Sequence, residues 1–203
     1  LGHLVLLVVS AMGVAAFCHL LNDMMDVEAD AIGQKPNQMA RFSTAGRASL
    51  VAITLVAGLV PWIGWPRRPW ALGALAAEVL LLGAYSAPPL RLKARRWAGA
   101  LADAAYAYAV PFVLTSFALG PLPATRRSIA LVASVGLLGM FVGVRGILSH
   151  QIADVAADRA AGLDTVVTRL GVQRVERNQG RYLLLLEVVV LGVAAALYGR
   201  AWL

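Results

Sequence analysis

The sequence contains little charge and almost no cysteine for a chain of its length. Charged residues make up 14% of its 203 residues and apolar residues 60%, whereas an ordinary soluble domain is about 25% charged and roughly 45–50% apolar. The single cysteine, Cys18, lies inside an apolar run, which excludes a disulfide-stapled secreted module. The many apolar side chains exclude disorder. The composition therefore predicts an all-α, polytopic membrane protein.

Several common catalytic and binding signatures are also absent. The sequence has no Walker loop, no dinucleotide-binding glycine pattern, no Gly-x-Ser-x-Gly and no His-Glu-x-x-His. Its net charge of +7 would suggest nucleic acid in a soluble protein, but neither a basic helix nor an aromatic RNA-binding motif accompanies the charge. Basic residues in the cytoplasmic loops of a membrane protein account for it, so we expect no nucleic-acid partner.

Six apolar stretches are long enough to cross a bilayer, which takes about 20 mostly apolar residues. They are Leu1–Leu21, Ala48–Trp65, Trp70–Ala87, Ala98–Leu119, Ser128–Ser149 and Tyr182–Leu203. The loops after the first, third and fifth stretches carry twelve Lys and Arg residues, and the other side carries five. The positive-inside rule places the twelve-charge loops in the cytoplasm and the N-terminus outside. We expect an integral protein of the plasma membrane, with one domain over residues 1–203.

The first acidic motif follows the first apolar stretch directly. It reads Asn22-Asp23-Met24-Met25-Asp26-Val27-Glu28-Ala29-Asp30. If the helix continues, Asp23, Asp26 and Asp30 share one face, because residues three, four and seven apart lie on the same side of a helix. Carboxylates stacked in this way repel each other, so we expect a cation to bind there.

The second acidic motif, Asp154 and Asp158, follows the fifth stretch and so lies on the same side of the membrane as the first. Two acidic faces at one membrane surface suit Mg²⁺, which commonly combines one or two carboxylates with substrate phosphate oxygens. Interleaved basic residues would let such a site accept a diphosphate. They are Lys35, Arg41, Arg91, Lys93 and Arg159. The alternative is a pair of solvated helix ends with ordinary i,i+4 ion pairs.

The combination of motifs resembles the UbiA-type superfamily of intramembrane prenyltransferases. The first motif matches Asn-Asp-x-x-Asp-x-x-x-Asp. The second continues as Asp158-Arg159-Ala160-Ala161-Gly162-Leu163-Asp164-Thr165. A third stretch, Tyr85-Ser86-Ala87-Pro88-Pro89-Leu90-Arg91-Leu92-Lys93, is similar to a segment found most clearly in the chlorophyll-synthase-like branch. The three motifs occur in the family's order and reach from the first span to the start of the last.

The resemblance implies a helical bundle around a cavity open to lipid, in which Mg²⁺ and a prenyl diphosphate donor bind and an unidentified lipophilic or aromatic acceptor is prenylated. The implied metal ligands are Asp23, Asp26, Asp30, Asp154 and Asp158. The implied diphosphate ligands are Asn22, Lys35, Arg91, Lys93 and Arg159. The implied catalytic residues are Asp23, Asp26, Asp158 and Tyr85. The donor chain length and the oligomeric state stay open.

Three features depart from the family pattern. The first motif continues as Lys35-Pro36-Asn37-Gln38-Met39 without the usual Arg-Pro, and Gln151 stands where many members have an acidic residue. The chain has six predicted spans, whereas the family bundle has nine, so we expect truncation at both ends. A fragment, a start set too late and a minimised member of the family would each account for this.

Two other function classes compete with prenyl transfer. A membrane terpene cyclase of the same superfamily would share the ionisation chemistry but need no acceptor. A scaffold or a transporter would use the acidic pairs differently, although acidic sites in transporters lie near the bilayer midplane and these lie at span ends. We expect Arg145 either to contact the diphosphate or to snorkel to the interface, and Glu187 to snorkel.

Overall fold

The computed structural model describes residues 2–65, 68–120 and 125–199, and in those ranges its regular structure is helical. The first residue of the first predicted span, Leu1, and the last four of the sixth predicted span, residues 200–203, lie outside the described residues. The α-helices are α1 (Gly2–Ile32), α2 (Thr44–Leu59), α3 (Pro69–Ser86), α4 (Arg96–Ala104), α5 (Val110–Leu119), α6 (Arg126–Ala153), α7 (Val155–Ala160), α8 (Val166–Leu170), α9 (Val172–Asn178) and α10 (Leu184–Gly199).

Six helical segments of the described chain are long and apolar enough to cross a membrane, which confirms the predicted number. They are Gly2–Ile32, Thr44–Ile63, Pro69–Ser86, Arg96–Leu119, Arg126–Ala153 and Val172–Tyr198. Three of them contain a short helix of another type. A 3₁₀ turn at Val60–Ile63 extends α2. A π-helical turn at Ala105–Ala109 joins α4 to α5, and another at Gln179–Leu183 joins α9 to α10.

Aliphatic side chains cover the outside of these helices. Met12, Ile53, Leu80, Leu185 and Val189 are all exposed, with Leu80 at 72%. Exposure to water of so much apolar surface would be unfavourable by about 25 cal/mol per Å², whereas the hydrocarbon of a bilayer removes that penalty. The chain is therefore an integral membrane protein.

Small residues let neighbouring helices approach closely. A Cβ added to Gly13 of α1 would lie 2.3 Å from the backbone nitrogen of Gly58 in α2, and one added to Gly143 of α6 would lie 2.6 Å from Ala104 Cα. The Ser10 hydroxyl donates a hydrogen bond to the Gly58 carbonyl at 2.7 Å. Helices in membranes commonly pack through such small residues, and here they fix α1 against α2 and α6 against α4.

The buried apolar side chains form two clusters. The first joins α1, α2, α3 and α5 through residues such as Phe17 and Leu82. The second joins α4, α6, α8 and α9 through residues such as Ile147 and Val167. Polar residues of α1 and of the segment after α6 lie where these two halves of the bundle meet.

The structure differs from the prediction between residues 150 and 181, which the sequence suggested to be a loop. This segment contains the end of α6, the short helices α7 and α8, and α9. Thr165 forms a capping box with Thr168 at the start of α8, and Gly171 ends that helix with a φ of +84°, a value that glycine adopts at no steric cost. Helices α7 and α8 are too short to show as apolar runs, and the end of α6 and α9 are polar, so hydropathy alone missed these helical residues.

Candidate active site

The first acidic motif lies in the C-terminal part of helix α1, and its polar side chains line a cavity. The helix continues to Ile32 because the next helix-breaking residues, Gly33 and Pro36, come only after the motif. Asn22 and three carboxylates of this helix line a cavity of about 330 Å³. We call Asp23, Asp26 and Asp30 the α1 carboxylates. Their spacing predicted a common face, and the structure places them on one.

The second acidic motif lines the same cavity from the opposite half of the bundle. Asp154 caps the C-terminus of α6, and its carbonyl accepts a 2.9 Å hydrogen bond from the backbone N–H of Asp158 in α7. Asp158 is buried, whereas Asp154 is exposed. We call this pair the α6–α7 carboxylates. The structure thus brings together two acidic groups that are more than a hundred residues apart in the chain.

The α6–α7 carboxylates are paired with a lysine from the segment after α1. Lys35 Nζ lies 2.9 Å from Asp154 Oδ2 and 3.9 Å from Asp158 Oδ1. Its hydrogen bond to Asp154 and the nearby carboxylates raise the pKa of Lys35 even though partial burial acts against this. Burial raises the pKa of Asp158, the Lys35 ammonium opposes that rise, and Asp154 adds to it.

One of the α1 carboxylates, Asp26, is paired with basic residues of the loop after α3. Lys93 Nζ lies 2.5 Å from Asp26 Oδ2, and Arg91 Nη2 lies 3.3 Å from Asp26 Oδ1. Lys93 also donates a 2.9 Å hydrogen bond to Asn22 Oδ1. Burial lowers the pKa of Lys93, although its hydrogen bond to Asp26 acts in the opposite direction. The third motif is therefore in contact with the first.

An asparagine that the sequence analysis did not select holds another part of the acidic face. Asn37 Nδ2 donates hydrogen bonds to the Asp23 carbonyl at 2.8 Å and to Asp30 Oδ2 at 2.7 Å. The Asn37 side chain also accepts from the backbone N–H of Met39 and so caps a 3₁₀ turn. Its position two residues after Lys35 in the first motif's extension was the only signal for it in the sequence.

The cavity also has residues from α6 that motif reasoning did not select as site residues, although it noted Gln151 as a departure from the family pattern. Ile147, His150 and Gln151 line it next to Asp154. Their spacing of three, four and seven residues places them on one helix face, so extending the Asp154 face backwards along α6 would have found them. Gln151 is buried, and its Oε1 accepts a hydrogen bond from the backbone N–H of Val167 at 3.4 Å.

Tyr85 lines the cavity at the end of α3. Its ring meets the ring of Tyr106 edge-on, with centroids 5.1 Å apart. The Tyr106 hydroxyl donates a 2.6 Å hydrogen bond to Asp103 Oδ1. The aromatic face of Tyr85 is therefore fixed by a second ring, which is itself held by a carboxylate of the same helical span.

Other predicted residues lie outside the cavity. Arg159 and Arg41 are exposed, and neither side chain forms a hydrogen bond or ion pair with another described residue. Arg145 forms a two-pronged ion pair with Glu187 at 2.7 and 3.0 Å. The expectation that Glu187 snorkels is wrong, because Glu187 is buried and paired across α6 and α10.

The donor set fits a metal ion that is shared with a phosphate ligand. Within residues 2–65, 68–120 and 125–199, no group of three or more Asp, Glu, His or Cys side chains can enclose a metal ion. Mg²⁺ needs no such cage, because it keeps several waters and combines one or two carboxylates with phosphate oxygens. Arg91 does not line the cavity, but its Nε is buried without a hydrogen-bond partner in the described chain, and its Nη2 contacts Asp26, which does line it. Oxygen donors and cations around one cavity together match Mg²⁺ with a phosphate compound.

Comparison with known proteins gives one family and two curated relatives. The family model of the UbiA prenyltransferase family matches residues 1–203. The bacteriochlorophyll synthase 33 kDa chain of Cereibacter sphaeroides is 30% identical over 151 residues, which are 74% of this chain and 48% of that protein. The lycopene elongase/hydratase of Halobacterium salinarum is 28% identical over 154 residues, which are 76% of this chain and 53% of that protein. The chain spans about half the length of these curated relatives.

Solved structures share the fold. A UbiA homolog from Archaeoglobus fulgidus, bound to DMAPP and Mg²⁺ in one structure and to GPP and Mg²⁺ in another, superposes with a TM-score of 0.71 in each case. The identity is 17%, and the match covers 100% of this chain and 75% of the other. The predicted all-helical membrane bundle is thereby confirmed.

Proposed function

This chain belongs to the UbiA prenyltransferase family, and on that premise we propose that it transfers an isoprenyl group from a prenyl diphosphate to an acceptor within the membrane, with Mg²⁺ as cofactor. One observation carries the proposal. The α1 carboxylates and the α6–α7 carboxylates face the same cavity, together with the ammonium groups of Lys35 and Lys93. The match to structures of a homolog with DMAPP, GPP and Mg²⁺ bound supports the same chemistry.

We assign roles to the residues according to their charge. The proposed metal ligands are Asp23, Asp26, Asp30, Asp154 and Asp158. The proposed diphosphate ligands are Asn22, Lys35 and Lys93, which line the cavity, and Arg91 and Arg159, which lie outside its lining in the ligand-free protein. When bound, Mg²⁺ supplies positive charge to the diphosphate oxygens. The basic side chains stabilise the negative charge that grows on the diphosphate as its bond to the prenyl carbon breaks.

Tyr85 is assigned to the other product of that bond cleavage. Its ring lines the cavity and is held by Tyr106, so its π face can stabilise an allylic carbocation. The catalytic residues of the proposal are thus Asp23, Asp26, Asp158 and Tyr85. The surrounding bilayer and apolar helices keep water from the cation until the acceptor attacks it.

The proposal extends to location and acceptor. The proposed location is the plasma membrane, and the distribution of Lys and Arg favours cytoplasmic active-site loops. The matched family supports a single domain over residues 1–203. The proposed acceptor is lipophilic or aromatic, because residues of membrane-spanning helices line the cavity. The names of the two relatives make a chlorophyll-type compound and lycopene the first acceptors to test.

Diphosphate release tests the proposed ionisation step. The purified protein, reconstituted in lipid, is given geranylgeranyl diphosphate and shorter donors with and without Mg²⁺. We expect release to require Mg²⁺ and to be lost in Asp26→Ala and in Asp158→Ala. Glu28→Gln is the matched control, because Glu28 belongs to the same helix but is exposed and does not line the cavity. Release that survives both aspartate substitutions, or a folded protein that releases none, would overturn the proposal.

The mass of the product separates the competing functions. A transferase gives a product that contains both the prenyl group and the acceptor. A cyclase gives a hydrocarbon or alcohol from the donor alone, and a transporter or scaffold releases no diphosphate.

A further inference from the structure

The chain has only two lysines among its eighteen basic residues, and both lie at the cavity. Lys35 comes from the segment between α1 and α2, and Lys93 comes from the loop between α3 and α4. Each ammonium contacts one of the two acidic groups. Every other basic residue is an arginine, so lysine is used here where the rest of the chain uses arginine. This choice indicates that the site needs a property specific to lysine.

Lysine and arginine differ in how easily they change partners. An arginine guanidinium is a rigid planar fork that holds a carboxylate through two bonds, whereas a lysine ammonium is a compact charge on a flexible four-carbon stem. Arg145 shows the arginine form of contact, because it binds Glu187 through two nitrogens. The two cations that line the cavity are lysines, which can move to another anion without a backbone change, whereas Arg91 contacts Asp26 from outside the lining.

Both lysines contact carboxylates that belong to groups of like charge, and Asp26 also contacts Arg91. Lys35 lies against Asp154 and Asp158, which are four residues apart. Lys93 lies against Asp26 and is mostly buried, with 12% of its side chain exposed. Asp30 differs from these acids, because it is held by the neutral amide of Asn37. In the ligand-free protein the ammonium groups therefore lie against three of the five carboxylates that are proposed to bind metal, namely Asp26, Asp154 and Asp158.

We propose that Lys35 and Lys93 are exchangeable counterions, which neutralise the carboxylates in the ligand-free protein and move to the diphosphate oxygens when those carboxylates take a metal ion. The exchange rests on the proposed function, since it needs a site that binds metal and diphosphate together. Its consequence is strong coupling. A metal ion alone has to compete with two ammonium groups, and a diphosphate alone would draw these groups away and leave the carboxylates uncompensated. When both bind, the diphosphate takes up the ammonium groups that oppose the metal, and the metal takes up the carboxylates that oppose the diphosphate. Each ligand therefore raises the affinity for the other, and such coupling is reciprocal by necessity.

Removing one lysine should therefore change the two affinities in opposite directions. Lys35→Met keeps an unbranched side chain of similar length and removes the charge. We expect it to bind metal alone about tenfold more tightly, and diphosphate in the presence of metal about tenfold more weakly, than the wild type. A side chain that only stabilises the loop would weaken both. Arg95→Met is the matched control, because it removes an equal charge from an exposed position in the loop that carries Lys93.

Two binding measurements test this without any turnover. Mn²⁺ replaces Mg²⁺ so that the free ion can be measured by electron paramagnetic resonance, and radiolabelled inorganic diphosphate is measured at saturating Mn²⁺. Opposite shifts in Lys35→Met, absent from Arg95→Met, support the exchange. Equal or parallel shifts in the two affinities overturn it while the proposed function stands. A wild type that binds diphosphate no better with Mn²⁺ than without it overturns the proposed function and the exchange together.

The wild-type protein allows a second test if the Lys35 variant does not fold. Acetylation of the two lysine ε-amines is followed by mass spectrometry. We expect Mg²⁺ and diphosphate together to slow acetylation of both lysines more than either ligand does alone. The same rate under all four conditions would show that the lysines do not change partners, and this would overturn the exchange.

Discussion

Lys93 Nζ lies 2.5 Å from Asp26 Oδ2, so the loop after α3 is fastened to the acidic face of α1. The two residues belong to different sequence motifs, 67 positions apart in the chain. Their contact shows why the motifs occur together. The basic loop supplies the charge that a helix with three carboxylates on one face lacks.

Lys93→Met should lower the rate of diphosphate release by about a hundredfold, because a buried cation next to the leaving group stabilises the charge that develops on it. Lys93→Arg should keep part of the activity, since the positive charge remains but its geometry differs. Steady-state rates of both variants test this. Equal losses in the two would indicate that packing, not charge, is the property of Lys93 that matters.

Asn37→Ala should loosen the segment that carries Lys35. The substitution removes the hydrogen bonds to the Asp23 carbonyl and the Asp30 carboxylate, each worth about 1 kcal/mol. We expect a lower temperature of thermal unfolding and a reduced affinity for diphosphate with Mg²⁺. Exposed Gln38→Ala is the neighbouring control. An Asn37 variant with unchanged affinity would mean that Asp30 is held in place by other contacts.

Tyr85→Phe should retain most of the diphosphate release, whereas Tyr85→Leu should lose about tenfold. The reason is that the aromatic face is the group proposed to stabilise the carbocation, and phenylalanine keeps that face. The ratio of kcat between the two variants is the quantity to measure. If both variants lose the same amount, the hydroxyl of Tyr85 is the functional group.

From the Arg145–Glu187 ion pair we predict which of two variants, the single Arg145→Met or the double variant with Glu187→Met, is more stable. Arg145→Met leaves the buried Glu187 carboxylate unpaired and should lower the free energy of unfolding by roughly 1–3 kcal/mol, a range reduced for the partial exposure of Arg145. The double variant with Glu187→Met should be more stable than this single variant, because no charge is left unpaired. Thermal unfolding in a single detergent gives the order. A double variant less stable than Arg145→Met would show that the pair contributes beyond charge compensation.

Gly13→Ala should destabilise the protein by about 1–3 kcal/mol, because the added methyl group would overlap the backbone of Gly58. Gly73→Ala in α3 is the control, since an added Cβ there meets nothing within 4 Å, and it should be neutral or slightly stabilising. Unfolding temperatures of the two variants test the difference. Similar unfolding temperatures would mean that α1 and α2 can move apart with little loss of stability.

The parts of the site that depend on local spacing could be predicted from the sequence. The distances of three and four residues between Asp23, Asp26 and Asp30 predicted a common face, and hydropathy predicted the six spans. The contacts that join distant segments could not be predicted in this way. Lys35 meets Asp154 across 119 positions, and Arg145 meets Glu187 across 42. Asn37 was missed because its partners depend on how the chain turns back after α1.

The contact between Gly13 of α1 and Gly58 of α2 determines the orientation of the α1 carboxylates, although it lies far from them along the helix. Asp26 lies thirteen residues further along α1, which is about 20 Å along the helix axis at 1.5 Å per residue. A slip of α1 by one residue at the glycine contact would turn its acidic face by about 100° and direct Asp26 away from Lys93. Two residues with no side chain thus fix the rotation of α1, and with it the direction in which the α1 carboxylates face.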